Sequence, residues 1–418
     1  MNSITSPITS PRQIPLIDNK VKPLHSWARH MVLRTLIHLE HGQLTIQENN
    51  RAMTFGHGNR LHATVHVHDP SFYHRVLTGG SIGAGEAYVE GLWDTEDLTA
   101  VIRIIVANED VLNALEKKLA WATAPINRLK HLFNNNSRRG AKKNILAHYD
   151  LGNDMYKAFL DPTMMYSSAI YPHADATLNE ASLYKLDLIC RQLHLGPRDR
   201  IIEIGSGWGG FAIHAARNYG CHVTTTTISE AQYQEAQKRI TEQGLDDRIT
   251  LLKKDYRDLE GQFDKLVSIE MIEAVGYRHL PDFMAKCSLL LKDDGMMLIQ
   301  AITIKDQLYR NYLKGVDFIQ RHIFPGGCLL SNQHLTKLVA GHSDMVVRDL
   351  SDFGLHYART LKEWRTGFNN SFDSIRHYGY DERFRRLWEF YFCYCEGGFR
   401  ERSISVVHLR ATKPQHRL

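Results

Sequence analysis

The chain has 418 residues, a hydrophobic fraction of 43% and a formal net charge of +5, with 23 histidines outside that count. This length holds two or three domains. No window approaches 18 uncharged apolar residues, so no membrane-spanning helix is expected. Six scattered cysteines without a CxxC pair indicate neither a zinc ribbon nor a disulfide framework, and a reducing cytoplasmic compartment is the simplest expectation.

Residues 1–20, MNSITSPITSPRQIPLIDNK, lack the basic-then-apolar order of a secretory signal and read as a polar, disordered tail. Over 22–40, Leu24, Trp27, Met31, Leu36 and Leu39 recur at helical spacing. GQLTIQ and LHATVHVHD alternate as strands. In the second, Leu61, Ala63, Val65 and Val67 share one face, and His62, His66 and His68 share the other. The histidine face reads as a polar side, because no carboxylate or cysteine completes a metal site at recognised spacing. Gly79, Gly80, Gly83 and Gly85 predict tight turns. Asp94 and Asp97 are placed to cap a helix that begins near Leu98. These elements make a small α+β module over 21–126. The basic stretch over 127–144, NRLKHLFNNNSRRGAKKN, reads as a linker whose cations are either solvated or set against lipid headgroups.

From about residue 180, strands and helices alternate. RIIEIG, CHVTTTTIS, ITLLKKD, FDKLVSIE, GMMLIQAITI and RSISVVHLRAT read as strands. WGGFAIHAARNYG reads as a helix stopped by Gly220, and SEAQYQEAQKRITEQGL as one capped by Ser229. The fold class expected is α/β: a parallel sheet with helices on both faces, over 145–418.

GSGWGG matches GxGxxG at Gly205, Gly207 and Gly210, a weak signal alone. A dinucleotide site wants an acidic residue at the end of the next strand to hold the ribose, and TTTTIS supplies none. S-adenosylmethionine is the better match. Glu203 then lies near the methionine amino group, and Thr227, Ser229 and Gln232 offer hydroxyl and amide groups to the ribose. DYRD seats adenine, with Tyr256 for stacking and Asp255 and Arg257 for polar contacts.

HYDLGND, MMYSSAIY, EIGSGWGGFA, TISEAQ, DYRDL, MIEAVG, FIQRHIFPGG and GFRERSI follow one another in the order seen in cyclopropane-fatty-acyl-phospholipid synthases. The chain resembles that family, and the similar mycolic acid cyclopropane synthases, from about residue 70 to its C-terminus. The resemblance implies a class I S-adenosylmethionine-dependent methyltransferase domain with a Rossmann-like fold, joined to an N-terminal domain that engages lipid. It implies methyl transfer to a cis double bond of a phospholipid acyl chain, leaving a carbocation that a bound bicarbonate deprotonates. Loss of a proton from the new methyl closes a cyclopropane ring. Loss elsewhere gives a methylene branch, and reduction then a methyl branch. A non-catalytic cofactor- and lipid-binding homologue is a third reading.

By the same resemblance, Tyr166 and Ser167 match cofactor-contacting positions. Glu273 matches the glutamate that orients bicarbonate, Tyr357 the tyrosine that completes that site, and Cys395 a cysteine labelled catalytic. Alkene alkylation needs no covalent enzyme intermediate, and a thiol needs a polarising partner to become a nucleophile. A packing role is therefore the residue-level reading of Cys395. Ser168 and Gln300 stand where the family carries cysteine and histidine, and Ile302 is retained. The expected anion site is thus Ser168, Glu273, Gln300, the backbone of Ile302, and Tyr357. The segment 148–171 reads as a lid over cofactor and acyl chain. The partners expected are a phospholipid membrane surface with unsaturated acyl chains and a second copy of the chain, with no nucleic acid. The location expected is the cytoplasm, peripheral to the inner face of the membrane.

Overall fold

A computed structural model describes residues 23–58, 60–109 and 152–417. The tail over 1–20 and the basic linker over 127–144 lie outside the described residues. The N-terminal module contains α1 (Pro23–Leu36), β1 (Gly42–Glu48), β2 (Arg51–His57), β3 (His62–Val67), α2 (Ser71–Val89), β4 (Trp93–Asp94) and α3 (Leu98–Ala107). Its strands form one sheet in the order β2-β1-β3-β4. Leu44, Ile46, Ala63 and Val65 point into the core from alternate positions, as period-two patterning requires. The polar face of β3 is neutralised locally: His66 pairs with Glu96 at 2.7 Å and His68 with Asp94 at 2.9 Å. Asp97 caps α3, its carboxylate accepting from Ala100 N at 2.9 Å; Asp94 lies in β4 instead.

The glycine-rich segment is not a set of turns. It lies within α2, which kinks at Gly80, where φ is +55° and ψ −136°. Gly85 is there for close packing: a Cβ on it would lie 2.6 Å from the Phe318 ring and 2.7 Å from Phe390. Tertiary approach, not turn geometry, explains this residue.

The larger unit begins with α4 (Asn153–Lys157), an irregular buried segment to Ala176, and α5 (Leu178–Gln192). Next come β5 (Arg200–Ile204), α6 (Gly210–Tyr219), β6 (His222–Thr226), α7 (Glu230–Glu242), β7 (Ile249–Leu252), β8 (Phe263–Ile269), α8 (Leu280–Leu289) and β9 (Leu291–Ile304). Then follow α9 (Asp306–Tyr312), α10 (Phe318–His322), α11 (Asn332–His342), β10 (Val346–Asp352), α12 (Gly354–Ile375), α13 (Glu382–Arg400) and β11 (Ile404–Thr412). The sheet order is β10-β11-β9-β8-β5-β6-β7. Strands β5 to β9 are parallel, and β11 runs antiparallel to both β9 and β10. This is the doubly wound α/β sheet expected. The chain leaves β5 in one direction for β6 and β7, and returns on its other side with β8. A crevice therefore opens at the carboxyl ends of β5 and β8. Edge strand β10 has no counterpart in the sequence reading. VVRDLSD is part-exposed along its length and carries the charge typical of an edge, so it shows no clean alternation.

Helices α12 and α13 form a layer beside the crevice. Phe159, Trp364, Phe368, Trp388 and Phe392 meet between this layer and the segment before α5. The N-terminal module docks on α13. Tyr88 donates to Glu389 at 3.1 Å, Arg386 donates to the carbonyls of Tyr88 and Trp93, and Thr99 donates to buried Glu396 at 3.1 Å. Phe318, Phe390 and Cys393 complete the module's core. Module and helix layer thus share one apolar interior.

Candidate functional site

The glycine loop joins β5 to α6 at the crevice. Gly205, Gly207 and Gly209 all have positive φ, at +97°, +49° and +85°, a conformation that disfavours a side chain. A Cβ on Gly205 would meet the Met271 side chain at 3.0 Å, whereas nothing lies within 4 Å of one on Gly207. The loop therefore leaves open space at the carboxyl end of β5, beside the N-terminus of α6. That cradle fits the nucleoside and amino-acid parts of S-adenosylmethionine.

The flanking residues are tied to one another. Glu203 is buried and accepts from Thr225 Oγ1 at 2.6 Å; burial pushes its carboxyl up to about 7. The Thr227 hydroxyl donates to Gln232 Oε1 at 2.8 Å, and Ser229 Oγ accepts from Gln232 N. Ser229 therefore serves first as the cap of α7. Tyr256 packs edge-on to Phe283, and Arg257 is held by both oxygens of Asp255 at 2.8 and 2.5 Å.

The residues expected to hold an anion do converge, and a carboxylate of the chain itself lies among them. Glu270, one residue past β8, accepts from Ser168 N at 2.8 Å and Gln300 Nε2 at 2.7 Å through one oxygen. Its other oxygen accepts from Tyr357 Oη at 2.7 Å. Glu270 has φ +48°, the left-handed region, which costs a non-glycine residue about 1–3 kcal/mol. Its side-chain hydrogen bonds and the bond from its own N–H to Gln300 O at 2.8 Å hold it there. Glu273 lies one turn on: Oε1 accepts from Ile302 N at 2.5 Å, and Oε2 is buried without a hydrogen-bond partner.

Gln300 is set from behind. It pairs across the sheet with His408, whose Nε2 lies 3.0 Å from Gln300 Oε1 and whose Nδ1 lies 3.0 Å from Gln192 Oε1. Burial pushes His408 down to about 3, so the ring is neutral. A neutral ring carries one N–H: on Nε2 it donates to Gln300 Oε1 and turns the amide N–H groups of Gln300 toward Glu270 and Ser168 O, and the Gln192 amide then presents its NH2 group to Nδ1.

Burial raises the carboxyl groups of both Glu270 and Glu273. Glu273 reaches about 8, with the charge of Glu270 as the second cause. Buried Lys185 donates to Ser167 Oγ at 2.8 Å; desolvation lowers it to about 8 against the pull of Glu270, Asp161 and Glu203. The glutamate pair titrates as a unit. Glu273 ordinarily titrates at 4.5, so the folded state binds its proton more tightly. Its contribution to stability is fully present below pH 4.5 and is lost as pH rises through about 8. Glu273→Gln removes this loss. Denaturant titrations from pH 5 to 9 are expected to show a shallower decline for the variant, which gains at least about 1.4 kcal/mol over the parent at pH 9. An unchanged slope would place the proton elsewhere.

Two expectations are corrected, that of a Ser168 hydroxyl in the anion site and that of free anion ligands. Ser168 offers its backbone N–H to the site, while its hydroxyl donates to Ala169 O at 3.0 Å. Ser167 is buried and turned to Lys185. The anion ligands are engaged by Glu270, a residue that the family resemblance does not mark. A carboxylate at the end of a central strand was the available signal. An aromatic wall flanks the carboxylates: Tyr357 lies 4.6 Å from Phe399 and 5.9 Å from Trp364, ring to ring, and Tyr166 lies 5.2 Å from Trp364. Tyr166 Oη also meets Tyr391 Oη at 3.0 Å, a partner on α13 that sequence did not reveal. Cys395 packs among these aromatic residues. Burial raises its thiol far above the ordinary value, which disfavours a thiolate there.

The chain is similar to known proteins. The pattern describing mycolic acid cyclopropane synthetases matches residues 136–409. The chain is 36% identical over 348 residues to the tuberculostearic acid methyltransferase UfaA1 of Mycobacterium tuberculosis, covering 81% of each chain. It is 38% identical over 348 residues to the cyclopropane-fatty-acyl-phospholipid synthase of Escherichia coli K12, covering 82% of this chain and 86% of that one. Among solved structures, mycolic acid cyclopropane synthase CmaA1 complexed with SAH and CTAB is similar, with TM-score 0.61 and 28% identity over 65% of this chain and 98% of that chain.

Proposed function

This chain belongs to the mycolic acid cyclopropane synthetase family and is an S-adenosylmethionine-dependent methyltransferase, and we propose that it delivers the methyl carbon to the cis double bond of an unsaturated phospholipid acyl chain, closing a cyclopropane ring. The observation that carries this reading is the pairing of a buried carboxylate site, Glu270 and Glu273, with the aromatic wall of Tyr166, Tyr357 and Trp364. An alkene is a weak nucleophile, and its alkylation leaves a carbocation. Stabilising that cation takes aromatic faces, and quenching it takes a base. Methyl transfer to an amine or alcohol leaves no carbocation to stabilise.

The cofactor supplies an electrophilic methyl group. The chain's own part is to exclude water, to hold the alkene against that methyl, and to accept a proton. The Gly205–Gly207 cradle and Tyr166 hold the cofactor. The resemblance implies bicarbonate as the base, but the donors it would need are taken by the chain itself: Ser168 N, Gln300 Nε2 and Tyr357 Oη by Glu270, and Ile302 N by Glu273. The acceptor lipid comes from a phospholipid membrane, which the N-terminal module engages from the cytoplasmic face, with the chain acting as a homodimer. Among the described residues no helix is long and apolar enough to cross a membrane, in keeping with peripheral engagement.

A second reading changes only the fate of the cation. The tuberculostearic acid methyltransferase relative favours a methylene or methyl branch. Vesicles of cis-unsaturated phospholipid, incubated with the protein and methyl-13C S-adenosylmethionine, separate the two. Ring-methylene carbon in the NMR spectrum of the fatty acids is the expected result. Exocyclic methylene carbon would establish the second reading, and absence of label from every fatty acid would reject both.

A further inference from the structure

We propose that Glu270 is itself the base of this reaction, a covalently attached carboxylate in the seat where a bound bicarbonate is expected, so that turnover needs no added anion. This proposal rests on the acyl-lipid reading above. Three features of the seat carry it. First, the donors expected to hold an anion are already satisfied by one carboxylate: Ser168 N and Gln300 Nε2 on one oxygen, Tyr357 Oη on the other. A second anion in the same place would lose those bonds and meet like charge. Second, Glu270 is a non-glycine residue in the left-handed region, φ +48°. A backbone held so is conspicuous at a functional site. Glycine would adopt the conformation without strain; glutamate there puts a carboxylate into the crevice. Third, Gln300 stands where the family carries histidine. A glutamine amide cannot take up a proton, but it can donate to a fixed carboxylate, and neutral His408 orients it to do so.

The chemistry balances with the groups named. The alkene π pair forms the new C–C bond as the methyl C–S bond breaks, and that pair leaves on sulfur. One proton of the new methyl passes to the Glu270 carboxylate, and the released C–H pair closes the ring. Glu270 then returns its proton to solvent before the next cycle. Tyr357 and Gln300 are positioning residues, which aim the carboxylate.

The test compares the parent with two variants on cis-unsaturated phospholipid vesicles, in buffer stripped of carbon dioxide. The parent is expected to turn over at the same rate with and without added bicarbonate. Glu270→Gln keeps the seat filled but cannot take the proton. It is expected to lose at least about 100-fold in turnover, retain S-adenosylhomocysteine affinity, and gain nothing from bicarbonate. Glu270→Gly relieves the backbone and empties the seat. It is expected to be equally slow in stripped buffer and to recover when bicarbonate or formate is added. A parent whose turnover collapses on stripping and returns with bicarbonate would overturn the proposal, as would a Glu270→Gln variant that keeps parental turnover. Either result leaves the acyl-lipid reading intact. A parent that labels no fatty acid under any condition would instead sink that reading, and this proposal with it.

Discussion

Gly207→Val loses at least about 100-fold in affinity for S-adenosylhomocysteine, roughly 2.7 kcal/mol of binding. Two effects add. Valine is an outlier at φ +49°, because a β-branched side chain collides with its own backbone there. Its side chain also fills the space at the carboxyl end of β5, where nothing now lies within 4 Å of a Cβ. Strain alone would lower stability without a selective effect on binding. Gly244, at the end of α7, separates the two effects: it has φ +64° and nothing within 4 Å, and it lies far from the loop in an exposed turn. Gly244→Val is expected to lose similar stability and to bind S-adenosylhomocysteine as the parent does. Calorimetric titration of both variants checks this, and equal affinities for Gly207→Val and the parent would move the cofactor away from the glycine loop.

The parts of this site legible in the sequence are those specified locally. Strand RIIEI, the glycines behind it and the helix stop at Gly220 depend on neighbours within a few residues, and each is where the pattern places it. So is the Ser229 cap. Gln300, Glu273 and Tyr357 were recognisable through resemblance, and they do gather at one point. Glu270 was not singled out, although it sits three residues from Glu273 in SIEMIEAVG. Its meaning depends on a left-handed backbone and on donors 30, 87 and 102 residues away. His408 is beyond sequence reading for the same reason: it faces Gln300 through the register of β11 on β9. Ser168 looked like a hydroxyl in the anion site. The turn that brings its N–H there points its side chain away, and no pattern in MMYSSAIY distinguishes those two outcomes.

Gly85→Val is expected to cost about 3 kcal/mol or more in stability and to lower turnover further than it lowers S-adenosylhomocysteine affinity. Gly85 is an ordinary helical residue without positive φ, so its conformation needs no glycine. Glycine in a helix interior is unfavourable by roughly 0.5–1 kcal/mol relative to alanine, and close packing must offset that. A Cβ would lie 2.6 Å from Phe318 and 2.7 Å from Phe390. Those rings are themselves buried, 4.5 Å apart, and packed into the module's core, so they have nowhere to retreat. Relief comes by separating α2 from α13, which carries Phe390, and from α10, which carries Phe318. Helix α13 also carries Tyr391, which meets Tyr166, and Cys395 among the aromatic residues of the site. Loosening the module therefore disturbs the aromatic side of the crevice while leaving the glycine loop in place. Gly79 provides the contrast on the same helix: nothing lies within 4 Å of its Cβ, so Gly79→Ala is expected to gain up to about 1 kcal/mol. Denaturant titration checks both signs. A Gly85→Val variant as stable as the parent would show that the module's contact with α13 is not held by this packing, and that the module is not coupled through it to the aromatic side of the crevice.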